Sequence, residues 1–160
     1  MSTRSTIALE YADGTVEQIY CHHDGYLSYN GMRLHKHWQD PFKLRDLMDL
    51  GSISSLGFEI GVKHPFDSPG RWGTEADIDY RSKFGNMCKA YGRDRGDLEV
   101  ESSKFIDYED YLDNHQYEEY EYILRQVEGK AVWFVGINDW EMDKVIWSKL
   151  EDALIKEKLL

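Results

Sequence analysis

The chain has 160 residues and a formal net charge of -11, with 41% hydrophobic and 14% aromatic residues. This length fits one domain with a buried core, and the apolar content excludes a disordered chain despite the charge. Apolar runs fall far short of the roughly 20 residues that cross a bilayer, and the first residues show no signal-peptide pattern. Two cysteines without a framework pattern favour reduced thiols. We therefore expect a single domain, residues 1–160, in the cytoplasm and not at a membrane.

The first third of the sequence predicts a β-hairpin and two helices. Thr6–Tyr11 and Val16–Cys21 are β-branched and aromatic runs on either side of Asp13-Gly14, a dipeptide that favours tight turns. Residues Met32–Trp38 have helical spacing. A second helix is predicted over Pro41–Leu50, because proline suits a first helical position and a glycine follows the last.

The middle of the chain is rich in glycine and proline. We predict a long loop region over residues 51–85, and loops of this length are commonly functional or mobile. Asn86–Tyr91 is predicted to be a strand that leads into the turn Gly92–Gly96.

The last third predicts a helix, a second hairpin and a final helix. Aromatic and apolar residues at helical spacing predict a short helix over Asp107–Asn114. Alternating patterns predict antiparallel strands Tyr117–Val127 and Ala131–Ile137, joined at Glu128-Gly129-Lys130. The spacing after Asp139 predicts a helix over Glu141–Lys158. The order of elements indicates an α+β fold, a mostly antiparallel sheet with helices packed on one face.

Two sequence motifs resemble a known group of proteins. The start, STRSTIALE followed by DGTVEQIYCHHDGY and NG, resembles the start of small, largely uncharacterised proteins of bacteriophages and some bacteria. The motif YGRDRG is similar to a second recurring motif of the same proteins. The resemblance covers about the first sixty residues and Tyr91–Gly96, and it implies a phage product that acts inside a bacterial host.

Four histidines raise the question of a metal site. His22 and His23 adjoin Cys21 and Asp24, and His35 and His37 follow within the next helix. Adjacent residues on a strand point to opposite faces, and no strong ligand spacing is present. We therefore expect neither a metal nor another cofactor.

The triplet Arg93-Asp94-Arg95 permits two interpretations. Two guanidinium groups beside a carboxylate could grip a phosphate or a nucleotide. The alternative, which we favour, is a local ion pair that fixes the turn. Together with the His22/His23 region, the first interpretation would describe a small enzyme or nucleotide-binding protein. No basic stripe accompanies the motif, so we expect no direct binding of nucleic acid.

Almost all of the charge imbalance lies in one part of the chain. Residues 97–129 hold 11 Asp or Glu and only 2 Lys or Arg. Within them, the acidic segment, residues 107–122, holds seven carboxylates and five tyrosines and no Lys or Arg. Alternation on the predicted strand places Tyr120 and Tyr122 on one face and Glu119 and Glu121 on the other, toward solvent.

The acidic segment looks like part of a DNA-mimic inhibitor protein. Carboxylates at strand or helix spacing approach the repeat of phosphates along a nucleic acid, and they would suit a basic groove. The alternative is an ordinary solvated face over a tyrosine-rich core. We expect a non-enzymatic protein, monomer or homodimer, that inhibits a host DNA-binding protein such as DNA gyrase, a restriction or other defence nuclease, or a nucleoid protein. The predicted partner-binding residues are Asp107, Tyr108, Glu109, Asp110, Tyr111, Asp113, Tyr117, Glu118, Glu119 and Glu121.

Overall fold

The computed structural model describes residues 2–160 and shows an α+β fold built on an eight-stranded, mostly antiparallel sheet. The strands are β1 Ser5–Glu10, β2 Val16–Cys21, β3 Ile53–Ser55, β4 Lys89–Ala90, β5 Ser103–Phe105, β6 Tyr120–Val127, β7 Lys130–Asp139 and β8 Lys144–Lys149. The helices are α1 Met32–His37, α2 Pro41–Leu50, α3 Glu75–Phe84, α4 Tyr91–Arg95, α5 Tyr108–Asn114 and α6 Leu150–Lys156, and a π-helical turn, Leu27–Gly31, precedes α1. The predicted fold class is confirmed.

The sheet has the strand order β4-β3-β2-β1-β6-β7-β8, and β5 pairs with the start of β2. Both predicted hairpins, β1–β2 and β6–β7, are present. The turn between β6 and β7 consists of Glu128 and Gly129, which both have positive φ, as the favoured two-residue hairpin turn requires. At the centre of the sheet, β1 pairs in parallel with β6, with Ser5 opposite Tyr120.

The larger core lies on one face of the sheet, where α1, α2 and α6 pack. Its fully buried side chains include Trp38, Leu44, Leu47, Tyr122 and Leu124. The polar atoms of Trp38, Tyr122 and Trp133 in this core have partners: the Tyr122 hydroxyl, for example, donates to the Gly25 carbonyl over 2.6 Å. The other face carries a smaller core, in which α5 covers Ala8, Val16 and Ile123 with Tyr111. The helices are therefore not confined to one face, because α5 lies on the opposite one.

Helix α2 begins and ends as its sequence predicts. The Asp40 side chain accepts a hydrogen bond from the Phe42 N–H, and Pro41 occupies the first helical position. Gly51 follows the helix at φ +74°, and a Cβ there would lie 2.2 Å from the Val100 carbonyl oxygen. Only glycine fits this position, which brings residues 100–101 against the end of α2.

The C-terminal region differs from its prediction. The helix predicted over Glu141–Lys158 is wrong: residues 144–149 form β8 and only Leu150–Lys156 is helical. Val145, Ile146 and Trp147 are β-branched or aromatic, and pairing with β7 satisfies their backbone groups. Pairing with β7 therefore outweighs the helical spacing of the apolar residues in this segment.

The loop predicted over residues 51–85 contains β3 and α3, and α3 was not foreseen. This helix buries only Asp77 and Tyr80, so it has no apolar stripe to reveal it. The Thr74 side chain caps its N-terminus, and Asp77 accepts from Ser68 and Gly73. The Thr74 cap and the buried Asp77 carboxylate therefore stabilise α3, which lacks the apolar face of an ordinary amphipathic helix.

The YGRDRG motif forms α4 instead of the turn predicted after a strand, and the predicted strand shrinks to the two residues of β4. The Asp94 carboxylate is fully buried and accepts from the backbone N–H groups of His64 and Ala90. Arg93 Nε lies 2.9 Å from Asp94, and its other two nitrogens donate to the carbonyls of Ile60 and Cys88. The favoured prediction, an internal ion pair, is confirmed.

We predict that Asp94→Ala lowers the free energy of unfolding by about 3 kcal/mol, because it leaves the Arg93 charge and two backbone donors without a partner. Urea denaturation measures the loss. The matched control is Asp97→Ala in the exposed Arg95–Asp97 pair, where we expect a change of about 1 kcal/mol or less. Equal effects of the two substitutions would contradict the assigned role of Asp94.

Candidate functional site

Helix α5 is the scaffold of the acidic segment. It begins at Tyr108 because the Asp107 side chain accepts a hydrogen bond from the Asp110 N–H over 2.8 Å. The buried Tyr111 anchors the helix to the sheet, and its ring stacks on the His115 ring with 4.3 Å between the centroids. The predicted short helix is confirmed, and one face of it points to the sheet.

Glu121 does not face solvent as predicted. It is fully buried beneath α5, and its Oε2 lies 2.5 Å from Nε2 of the buried His115. Its Oε1 accepts from the Glu118 N–H over 2.9 Å. His115 Nδ1 lies 2.6 Å from the Tyr111 carbonyl, which can only accept, so Nδ1 carries a proton. The prediction is wrong because both faces of β6 are covered, which the alternation of Glu and Tyr cannot reveal.

The bond between His115 and Glu121 holds one proton between the two groups. Burial raises the pKa of the Glu121 carboxyl above its ordinary value of 4.5, and the hydrogen bond from His115 only partly offsets this. Whether the shared proton lies on the carboxyl or on the imidazole, the protonated pair is neutral. Glu121 therefore adds no net charge to the surface while the pair retains its proton.

The tyrosines of the acidic segment differ in their access to solvent. Tyr111 is fully buried and Tyr108 is half-buried, with the Arg125 guanidinium 3.4 Å from its ring centroid. Arg125 in turn pairs with Glu10 over 3.1 Å. Tyr117 is 45% exposed. Of the three tyrosines predicted to bind a partner, Tyr111 therefore belongs to the core and Tyr117 presents the most surface.

Six carboxylates of the acidic segment reach solvent wholly or in part. Asp107, Glu109 and Asp113 are exposed, whereas Asp110, Glu118 and Glu119 are half-buried. Among residues 2–160, no ion pair within 4 Å joins any of these six to a Lys, Arg or His. Asp110 has a structural role as well, since it accepts from the Ile106 N–H and the Asn114 amide.

The turn between β7 and β8 extends this surface and was missed by sequence reasoning. Asn138 bonds to the backbone carbonyls of Glu118 and Glu119, through its side chain and its N–H respectively, which places the turn beside the acidic segment. The acidic residues at alternate positions in NDWEMD, Asp139, Glu141 and Asp143, are a sequence signal for this second acidic region. The helix predicted over Glu141–Lys158 hides that signal. We call the following set the acidic surface: Asp107, Glu109, Asp110, Asp113, Glu118, Glu119, Asp139, Glu141 and Asp143.

The rings of His22 and His23 contact each other edge to face, with centroids 4.6 Å apart, and the histidines of the N-terminal third otherwise contact aromatic or hydroxyl groups. The His22 ring bonds to the Tyr20 hydroxyl, the His23 ring bonds to Ser2, and the His37 ring lies against Phe58. Within residues 2–160, no three His, Cys, Asp or Glu side chains are grouped to hold a metal ion. Burial raises the pKa of the Cys21 thiol to about 12 and that of Cys88 to about 11, so neither is a ready thiolate.

The guanidinium groups of Arg93 and Arg95 are also engaged within the chain. Arg93 donates from all three nitrogens to protein acceptors, and Arg95 forms a two-point pair with Asp97. A phosphate would have to displace these partners. The structure therefore brings together the acidic residues and does not present the Arg and His residues as a common site.

The fold and this site describe an α+β protein with an unpaired acidic surface. Among residues 2–160, no helix is long and apolar enough to cross a membrane. Comparison with protein families, with curated proteins and with solved structures finds no match for this chain. The resemblance to phage proteins thus stays a prediction.

We predict that Glu121→Gln folds and changes the pH dependence of stability. The amide oxygen can still accept from the Glu118 N–H, and the amide NH2 can donate to Nε2 of the His115 ring. The pKa of the Glu121 carboxyl is higher in the folded state than in the unfolded state. The stability that this group contributes to the wild type is therefore complete below its unfolded-state pKa, and it is lost as the pH rises through its folded-state pKa. The variant lacks this loss, so its stability relative to wild type increases with pH.

Urea denaturation of both proteins between about pH 4 and about pH 8 measures this difference. A difference that is constant across this range would contradict the assignment. Glu121→Ala is the matched comparison: it leaves the Glu118 N–H without a partner and should cost about 3 kcal/mol.

We also predict that the purified protein contains no stoichiometric transition metal and that a chelator leaves its melting temperature unchanged. Elemental analysis and a thermal melt with and without EDTA measure this. Metal at one equivalent per chain would contradict this prediction and would support a metal site in the His22/His23 region.

Proposed function

We propose that the protein binds, through the acidic surface, to the DNA-binding site of another protein and thereby blocks that site. In this proposal it is not an enzyme, and its target is a protein of a bacterial host. Candidate targets are DNA gyrase, a restriction or other defence nuclease, and a nucleoid protein. The observation that carries the proposal is the set of carboxylates in the acidic surface that form no ion pair with a Lys, Arg or His among residues 2–160.

The spacing of the exposed carboxylates supports a target that normally holds DNA. Glu109 and Asp113 are four residues apart on α5 and both are exposed. Side chains so spaced on a helix are neighbours about 5–6 Å apart, which approaches the repeat of phosphates along a strand. A groove lined with Lys and Arg to hold DNA would meet a similar row of negative charges.

The cost of the acidic surface to the protein itself also favours a role in binding. Like charges that face each other destabilise a folded chain, and an ordinary surface mixes both signs. Elsewhere in this chain carboxylates do pair with cations, as Asp79 does with Lys83 and Asp97 with Arg95. Among residues 2–160, no carboxylate of α5 and neither Glu118 nor Glu119 has such a pair, which suits a binding surface for a basic partner.

The proposal predicts that neutralising three carboxylates abolishes binding without unfolding the protein. The variant is Glu109→Gln, Asp113→Asn and Glu119→Gln, whose side chains make no hydrogen bond or ion pair among those found in the described chain. Glu121 and Asp110 are left intact because they hold the fold. We expect affinity for a host DNA-binding protein to fall roughly tenfold or more, with stability equal or higher.

The measurement is capture from bacterial lysate by the immobilised protein, followed by gyrase supercoiling and nuclease protection assays with the purified partner. Capture should be lost between about 0.1 M and about 0.5 M salt and be competed by duplex DNA, since both ligands use the same groove. The control variant, Asp46→Asn, Glu59→Gln and Glu151→Gln, removes three exposed charges elsewhere. If the α5 variant captures and inhibits the same proteins as wild type does, the proposal is wrong.

A further inference from the structure

A cleft of about 390 Å³ separates Tyr117 from the turn between β7 and β8. Two aromatic side chains stand beside it, with Tyr117 45% exposed and Trp140 63% exposed. The complete lining consists of Tyr117, Asn138, Trp140, Asp143, Lys144 and Val145. The cleft shares Asp143 with the acidic surface but differs from it in composition, because two of its lining residues are aromatic.

Backbone contacts fix the segments that carry both rings. The Tyr117 hydroxyl donates to the Leu112 carbonyl over 2.8 Å, and its ring lies against His115, with centroids 4.1 Å apart. On the other side, the Asp139 side chain accepts from the N–H groups of Glu141 and Met142, which shapes the turn that presents Trp140. The cleft is thus formed before any ligand binds, which lowers the entropic cost of binding.

The electrostatic character of the cleft favours a cation. Asp143 contributes a carboxylate that accepts no hydrogen bond and forms no ion pair among residues 2–160. Glu118, Glu119 and Glu141 lie beside the lining residues in the chain. Lys144 is the one cation in the lining, and it too forms no ion pair within the described chain. An aromatic site with an unpaired carboxylate is suited to a cationic guest.

We propose that this cleft receives an arginine side chain of the partner protein. A planar guanidinium stacks on an aromatic face and donates two parallel hydrogen bonds to one carboxylate, here that of Asp143. The protein already shows the stacking geometry at another place, where the Arg81 guanidinium lies 3.9 Å from the ring centroid of the exposed Trp72. The inference rests on the proposed function for the source of the arginine, a basic DNA-binding surface.

Lys144 provides a way to distinguish a site for a cation from a site for an anion. Lys144 lines the same cleft, and its positive charge opposes an incoming guanidinium. Replacing Lys144 with glutamine should therefore strengthen binding of arginine, whereas a site for an anion would lose affinity through the same change.

The direct test is an NMR titration of the whole protein with the peptide acetyl-Gly-Arg-Gly-amide, following the indole N–H of Trp140. The matched probe, with citrulline in place of arginine, keeps the shape and removes the charge. We expect a saturable shift with the arginine peptide only. Asp143→Asn should weaken it roughly fivefold, Trp140→Ala should abolish binding detected at Tyr117, and Lys144→Gln should strengthen it.

The control variant is Trp72→Ala, which removes an exposed tryptophan far from the cleft in sequence and should leave the titration unchanged. Equal shifts with the citrulline peptide would overturn the inference, as would a Trp140→Ala protein that binds like wild type. Equal affinity for a lysine peptide would overturn the assignment to arginine, because a point charge would then suffice.

A second measurement separates this inference from the proposed function. Capture of the lysate protein is compared between the Trp140→Ala, Asp143→Asn double variant and the Glu109, Asp113, Glu119 variant. Loss in the α5 variant with full capture by the cleft variant would overturn the arginine inference alone. Full capture by the α5 variant would overturn the proposed function, while the peptide titration would still decide whether the cleft binds arginine.

Discussion

The hydrogen bond between His115 and Glu121 is the interaction on which the acidic surface depends. It joins the residue that follows α5 to the second residue of β6, and both side chains are buried. The same carboxylate holds the Glu118 N–H, so the short connection between helix and strand is fixed at two points. With one side of α5 tied to the sheet in this way, Glu109 and Asp113 are directed to solvent. The buried Glu121 thereby determines the orientation of the exposed Glu109 and Asp113.

The elements that the sequence predicts well are those whose determinants are local. The β6–β7 hairpin follows from Glu128-Gly129 between alternating runs, and α5 follows from aromatic and apolar residues at helical spacing. The errors arise where the outcome depends on a distant partner. The alternating pattern places Glu121 and Tyr122 on opposite faces of the strand, but it does not show that α5 covers the face with Glu121. Similarly, Val145–Trp147 fits the periodicity of a helix as well as that of a strand, and pairing with β7 decides between them.

The YGRDRG motif illustrates why residue type alone is a poor guide to a ligand site. Two arginines around an aspartate have the chemistry of a phosphate clamp. In the fold, Asp94 is fully buried and Arg93 bridges it to the carbonyls of Ile60 and Cys88, so the motif joins α4 and β4 to the segment that precedes α3. Around α5, by contrast, six carboxylates of the acidic segment have no ion-pair partner among residues 2–160 and reach solvent wholly or in part.

The parallel pairing of β1 with β6 determines when this protein can complete its fold on the ribosome. Ser5 and Tyr120 are opposite each other, more than 100 residues apart in the chain. At roughly 5–20 residues per second, the first hairpin leaves the ribosome several seconds before its central neighbour exists. During that interval β1 presents an unpaired apolar edge, the feature that promotes association between nascent chains. The order of synthesis thus leaves the edge of Ser5–Glu10 unpaired for longer than the first strand of a sheet built only from successive hairpins.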